Sequence, residues 1–186
     1  MLFRSQLLRN ELDELASTGK SMMPEGLEKD LSPQDVADVI AYVRSKRVNS
    51  PAMVRARADG VFVLLPGTAR VSGPTIVIEP KYTNFGHWSS ADDQVAWTVE
   101  TKVRGVYDVW IYYACDTASA HNTLSVRAGM AHLAHKVAGT GSWDKYRGER
   151  IGALYLMGGT QEIVFRSVGK IRGALLDLKK VELSPR

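Results

Sequence analysis

From Val61 onward the chain takes a period of two, and this rhythm most limits what it can fold into. Val95, Trp97, Val99 and Thr101 leave one side of an extended segment, with polar neighbours leaving the other. After a turn at Arg104-Gly105 the pattern resumes in Tyr107, Val109, Ile111 and Tyr113. Successive side chains of a strand point to opposite faces, so a period of two marks a half-buried strand. Further strands fit Leu124 to Arg127, His132 to Ala138, Ile151 to Met157, Glu162 to Ser167 and Leu175 to Leu183, with an earlier one at Val61 to Leu65. Gly-containing turns separate them at Ala128-Gly129-Met130, Met157-Gly158-Gly159-Thr160 and Gly169 to Gly173. Many short strands with regularly spaced turns predict a mainly β domain, a sandwich or barrel.

Upstream the period is helical. Leu8, Leu12 and Leu15 form a stripe that stops at Ser17-Thr18-Gly19, and a second helix is signalled at every level. Ser32 suits its N-cap, Pro33 its first turn, and Asp35 can reach back to Ser32. Val36, Val39, Ile40 and Val43 share one face, and Arg44, Lys46 and Arg47 suit the negative pole of its dipole. Residues 48–60 carry Pro51 and Gly60 without a period. The expected organisation is a helical arm over 1–47, a linker over 48–60 and a β-sandwich over 61–186.

Several functions drop out. The 186 residues carry a net charge of +4, but the Lys and Arg residues are scattered among acids, which argues against nucleic acid. No stretch approaches the roughly 20 apolar residues of a membrane span, and the opening six residues lack a signal-peptide core. The chain is therefore expected to be cytoplasmic, or a piece of a longer exported protein. Gly19-Lys20-Ser21 ends like a phosphate-binding loop, but Glu14 stands where that loop needs a glycine. One cysteine, Cys115, permits no internal disulfide and no covalent haem attachment motif. Asp92 and Asp93 are neighbours whose side chains diverge on an extended chain. His132 and His135 fall on opposite faces of a strand, Ser142 lacks a nucleophile elbow, and Cys115 is expected to pack as a small apolar residue. No enzyme signature remains.

Two turn-rich segments carry aromatic residues instead. Gly139-Thr140-Gly141-Ser142-Trp143-Asp144-Lys145-Tyr146 offers Trp143 and Tyr146; Pro80 to Ser90 offers Tyr82, Phe85, His87 and Trp88. A sugar presents C–H faces ringed by hydroxyls, so its site needs flat aromatic platforms beside fixed donors and acceptors. Asn84, His87, Asp144 and Lys145 supply the second kind. Each aromatic also suits the end of a sandwich core, and residue type alone leaves both roles open.

Two resemblances bear on these alternatives. Thr18 to Glu28 followed by Leu31 to Tyr42 resembles the C-terminal end of bacterial c-type cytochrome (haem-binding) domains of large exported, dehydrogenase-like proteins. That resemblance implies a distal iron ligand at Met22 or Met23 in a longer parent protein; without attachment residues this chain itself would hold no haem. Over residues 61–184, Ala96-Trp97-Thr98-Val99, Gly105-Val106-Tyr107-Asp108-Val109, Tyr112-Tyr113-Ala114, Thr140-Gly141-Ser142-Trp143, Leu154 to Gly159 and Asp177 to Leu183 follow one another as in carbohydrate-binding modules of families six and thirty-five. These are galactose-binding-like, jelly-roll β-sandwiches. The resemblance implies a stacking role for Trp143 and a second aromatic among Tyr82, His87 and Trp88.

Two positions depart from that pattern. Arg172-Gly173-Ala174 stands where the family carries an asparagine before its last strand. Val61 to Leu65 lacks the glutamate that holds a structural calcium, leaving Glu79 as the one early carboxylate. The expectation is a non-catalytic module binding a polysaccharide or oligosaccharide through Trp143, Trp88, Tyr82, Asn84, His87, Asp144 and Tyr146. Its neighbours would be other domains of a periplasmic or extracellular cytochrome-containing oxidoreductase. The competing reading is a structural or docking domain of such a protein, without a sugar.

Overall fold

The computed structural model describes residues 32–45 and 52–186. The chain separates into two units, Met1–Lys46 and Arg47–Arg186. In the first, helix α1 spans Pro33–Ser45. Its start is a reciprocal capping box: Ser32 donates its backbone N–H (2.8 Å) and its hydroxyl (2.6 Å) to the Asp35 carboxylate, and the Asp35 N–H returns a bond to Ser32 Oγ at 3.2 Å. These bonds hold the Asp35 carboxyl below its usual range. Val36 and Val39, on the expected apolar face, are exposed. The stripe of Leu8, Leu12 and Leu15 and the two methionines Met22 and Met23 lie outside the described residues.

The second unit is a sandwich of two six-stranded sheets. Its strands are β1 (Val54–Arg55), β2 (Phe62–Leu64), β3 (Arg70–Ser72), β4 (Val77–Glu79), β5 (Asn84–Gly86), β6 (Gln94–Thr101), β7 (Gly105–Ala114), β8 (Thr123–Ala128), β9 (Ala131–Lys136), β10 (Arg147–Leu156), β11 (Gly159–Ser167) and β12 (Asp177–Pro185). One sheet runs β1-β6-β11-β8-β9, with β3 also on β6. The other runs β10-β7-β12-β5-β4, with β2 also on β12. All pairings are antiparallel except β1 with β6.

The alternation sorts as expected. Val95, Trp97 and Val99 face the core from β6; Tyr107, Val109, Ile111 and Tyr113 face it from β7. Trp97 lies edge-on between Phe85 and Phe165, at ring-centroid distances of 5.6 and 5.5 Å, and its indole N–H reaches Leu65 O at 2.9 Å. Such edge-to-face contacts add about 0.5–1.5 kcal/mol each beyond burial.

The structure shifts one boundary. Residues 54–55, placed in the linker from sequence, pair with Val99 and Glu100 of β6, and Val54 packs on the core. Two residues are too short for a periodic signal, so only the sheet reveals the strand.

The chemically suggestive residues of the sandwich prove structural. Asp93 is buried and accepts the N–H groups of Thr75, Ile76 and Ser90 at 3.0, 3.2 and 2.9 Å, with the Thr75 hydroxyl also donating. Burial opposes its ionisation, but these donors outweigh it and keep the carboxyl below its ordinary value. Cys115 is fully buried, and that burial pushes its thiol up to about 11, far from a reactive thiolate. His132 meets Ser125 Oγ at 3.0 Å, whereas His135 turns to the opposite face towards Glu149 at 3.5 Å.

Candidate functional site

At one end of the sandwich, where β12 begins and β4 ends, lies a cleft of about 510 Å³. Trp143, Tyr82, His87, Asp144 and Tyr146, five of the residues singled out from sequence, line it together. They come from segments some 60 residues apart. Tyr82 and His87 flank β5; Trp143, Asp144 and Tyr146 sit in the connection from β9 to β10.

The backbone around β5 is contorted. Thr83 and His87, at its two ends, both adopt left-handed conformations, with φ of 51° and 56°. A non-glycine residue there costs about 1 kcal/mol or more, and such strain persists only where surrounding contacts hold it. Glu79 supplies part of that hold. Asn84 Nδ2 donates to Glu79 Oε2 at 2.8 Å, and His87 Nε2 lies 3.7 Å from Glu79 Oε1. The Glu79 carboxylate crosses Gly86, where a Cβ would come within 2.2 Å of it.

The loop bearing Trp143 is tied to the sheet by Thr140. Its N–H reaches Cys115 O at 2.8 Å, and its hydroxyl accepts the Cys115 N–H at 2.9 Å. Trp143 is half-buried: it packs on the core and also borders the cleft. It thus stands both at the end of the core and on the wall of the cleft. Lys81 Nζ stands 4.9 Å from the Tyr82 ring, and Lys179 Nζ 5.2 Å from the Tyr146 ring.

Two residues expected at the site are elsewhere. Trp88 is fully buried, donates its indole N–H to Asp93 O at 3.2 Å and belongs to the core, so it presents no face to a ligand. Its carbonyl accepts Leu175 N–H at 2.7 Å, which draws the whole residue inward. Asn84 is also fully buried and does not line the cleft; its contribution is to hold Glu79. Phe85, read as loop-exposed, is buried too, because β5 pairs with β12 across Phe85 and Leu178.

The structure adds residues that sequence did not bring to the site: Glu79, Asp177, Ser119, Gly173 and Ala174. Asp177 opens β12, and its carboxyl is pushed up to about 7, first by burial and then by the charges of Glu79 and Asp144. Near neutral pH it is therefore both donor and acceptor. Tyr146 is raised to about 12 by burial and the same carboxylates, so its hydroxyl stays a donor.

Gly173 adopts φ +68°, and a Cβ there would stand 2.2 Å from Ser119 Oγ. Buried Asn122 clamps this segment: its amide donates to Ser119 O, Arg172 O and Ala174 O at 2.8–3.0 Å and accepts Arg172 N–H at 2.9 Å. A bare backbone thus borders the cleft where an asparagine side chain was the family's expectation.

Among the described residues no three metal-ligating side chains are grouped for an ion, and both Glu79 oxygens already face Asn84 and His87.

No protein-family model matches the sequence, and no curated protein matches it. Solved structures do match the fold. A family 35 carbohydrate-binding module from Clostridium thermocellum superposes with TM-score 0.56 at 14% identity, covering 68% of this chain and 98% of its own. The family 35 module of Cellvibrio japonicus Abf62 gives 0.55 at 15%, covering 65% and 91%. Isomalto-dextranase of Arthrobacter globiformis, solved with panose, gives 0.55 at 20% identity, covering 68% of this chain but 24% of that one. The chain therefore carries, over about two thirds of its length, the galactose-binding-like β-sandwich found in family 35 carbohydrate-binding modules.

Proposed function

We propose that the sandwich is a non-catalytic carbohydrate-binding module whose polysaccharide or oligosaccharide ligand stacks on Trp143, with Tyr82 and Tyr146 as further aromatic walls. The observation that carries this reading is the convergence of Trp143, Tyr82, His87, Asp144 and Tyr146 on one cleft of about 510 Å³. Sugar C–H faces suit the rings, and His87, Asp144, Glu79 and Asp177 suit the hydroxyls. Three carboxylates among the lining residues, with no Lys or Arg among them, favour a neutral glycan over a polyuronate. A structural calcium is not part of this reading.

Affinity electrophoresis against a panel of neutral and acidic polysaccharides tests it. Retardation by a neutral glycan, lost in Trp143→Ala, is the expected result. Stacking is worth about 1–3 kcal/mol, so the variant should bind roughly tenfold weaker or more. Silence across the panel, or hydrolysis of a glycoside, would overturn the proposal.

The likeness of residues 18–42 to a cytochrome tail supports a wider setting: an exported, haem-carrying oxidoreductase held at its polysaccharide by this module. Haem staining of the native protein from a periplasmic or extracellular fraction tests that part. A native protein without haem, or one confined to the cytoplasm, would contradict it.

A further inference from the structure

A second cleft, of about 560 Å³, lies at the other end of the sandwich. β12 connects the two: Asp177 at its start lines the first, and Pro185 at its end lines the second. Charge distinguishes them sharply. Arg55 and Arg57 before β2, Lys102 and Arg104 in the β6–β7 turn, and Arg186 after β12 all line the second cleft. Its single lining carboxylate, Glu100, is engaged by Arg55 at 2.6 Å. Arg186 is bound to Asp108 at 2.8 Å. Arg57, Lys102 and Arg104 are exposed and form no ion pair among the described residues. Three segments distant in sequence thus bring their cations to one concavity, although the chain shows no basic run here.

The uncharged lining narrows the ligand. Val103 is 72% and Val106 40% exposed, beside Pro185, whereas the aromatic residues Phe62 and Tyr107 keep only 1% and 6% of their surface. A sugar or an unstacked base wants an aromatic face, and this cleft offers none. Aliphatic patches between arginines suit a chain that carries carboxylates and aliphatic side chains together. Arginine forks pair well with carboxylates, and a concave, low-dielectric setting focuses their field.

We propose that this second cleft docks an acidic peptide segment of a partner protein, with its carboxylates on Arg57, Lys102 and Arg104 and an aliphatic side chain on Val103 and Val106. The site is separate from the sugar cleft and does not depend on it.

Fluorescence polarisation with a labelled peptide of alternating glutamate and leucine tests the proposal on the full chain. Saturable binding in about 50 mM salt, weakened about tenfold by about 300 mM as screening shortens, is expected. The triple variant Arg57→Glu, Lys102→Glu, Arg104→Glu should lose at least about tenfold, because attraction becomes repulsion. Val103→Ser, at an exposed position, should lose several-fold, and it keeps the test open if the triple variant misfolds; Trp143→Ala should change nothing. Failure of the peptide to saturate at low salt would overturn the proposal, as would indifference to these cleft variants. So would tighter binding of a sulfated oligosaccharide or a single-stranded oligonucleotide than of the peptide.

Discussion

Replacing Asp177 by asparagine should stabilise the sandwich, and increasingly so as pH rises. The folded carboxyl sits at about 7 against an ordinary 3.8, raised by burial and then by Glu79 and Asp144. A folded value above the unfolded one means that folding resists ionisation. Below 3.8 the group is protonated in both states and costs nothing. Above about 7 it is ionised in both, and the whole cost falls on the folded state. Three units would amount to about 4 kcal/mol at 1.36 kcal/mol each. Water entering the cleft screens the charges, so about 2 kcal/mol is the working figure. Urea unfolding of wild type and Asp177→Asn between about pH 4 and pH 8 reads it out. With slopes near 2 kcal/mol/M, the variant should gain about 1 M in midpoint at the alkaline end and almost nothing at the acid end. Asp93, Asp108, Glu149 and Glu182, all held below their usual range, titrate in both proteins and cancel from the difference. A pH-independent difference, or one that grows towards acid, would refute the reasoning.

Trp88→Ala should cost about 3–5 kcal/mol of stability, as for a buried tryptophan, while Trp143→Ala, which removes a half-buried ring, should cost clearly less; parallel urea melts check the order. Gly173→Ala should destabilise by about 1 kcal/mol or more, because φ is left-handed and the new Cβ meets Ser119, and it should weaken sugar binding as the neighbouring backbone shifts. A chain starting at residue 58 should fold but melt lower than one starting at residue 52, since it lacks the β1 pairing and the Val54 contact. Equal melting temperatures would show that β1 adds nothing.

The β-sandwich was legible because β6 and β7, of 8 and 10 residues, are long enough to set large apolar side chains at alternate positions. Short strands carry too few residues to show a period, so β1 vanished into a presumed linker and β5 into a presumed loop. The same blindness misplaced Trp88 and Phe85: Pro, Gly and Asn around them read as exposed turns, and only the pairing of Phe85 with Leu178 shows that the segment is drawn into the core. Trp143, Tyr82, His87, Asp144 and Tyr146 were legible from side-chain chemistry on turn-rich segments. Asp177 was not, because an acid opening a strand looks like any solvated terminus until Glu79 and Asp144 are brought near it. Its position at the first residue of the last strand was the available signal. The second cleft was illegible for a related reason. Its cations lie on three segments tens of residues apart, and only the meeting of the β6–β7 turn with the two ends of the sandwich chain gathers them.

Stacking of a glycan on Trp143 can be read out by following the four tryptophan indole N–H signals by NMR during titration with a neutral oligosaccharide retained in the electrophoresis panel. Trp88 and Trp97 are fully buried, and Trp110 is exposed on β7, so each serves as a control. The Trp143 indole alone should show a saturating shift. Saturation seen at Trp110 with Trp143 unmoved, or no shift at any of the four, would contradict it.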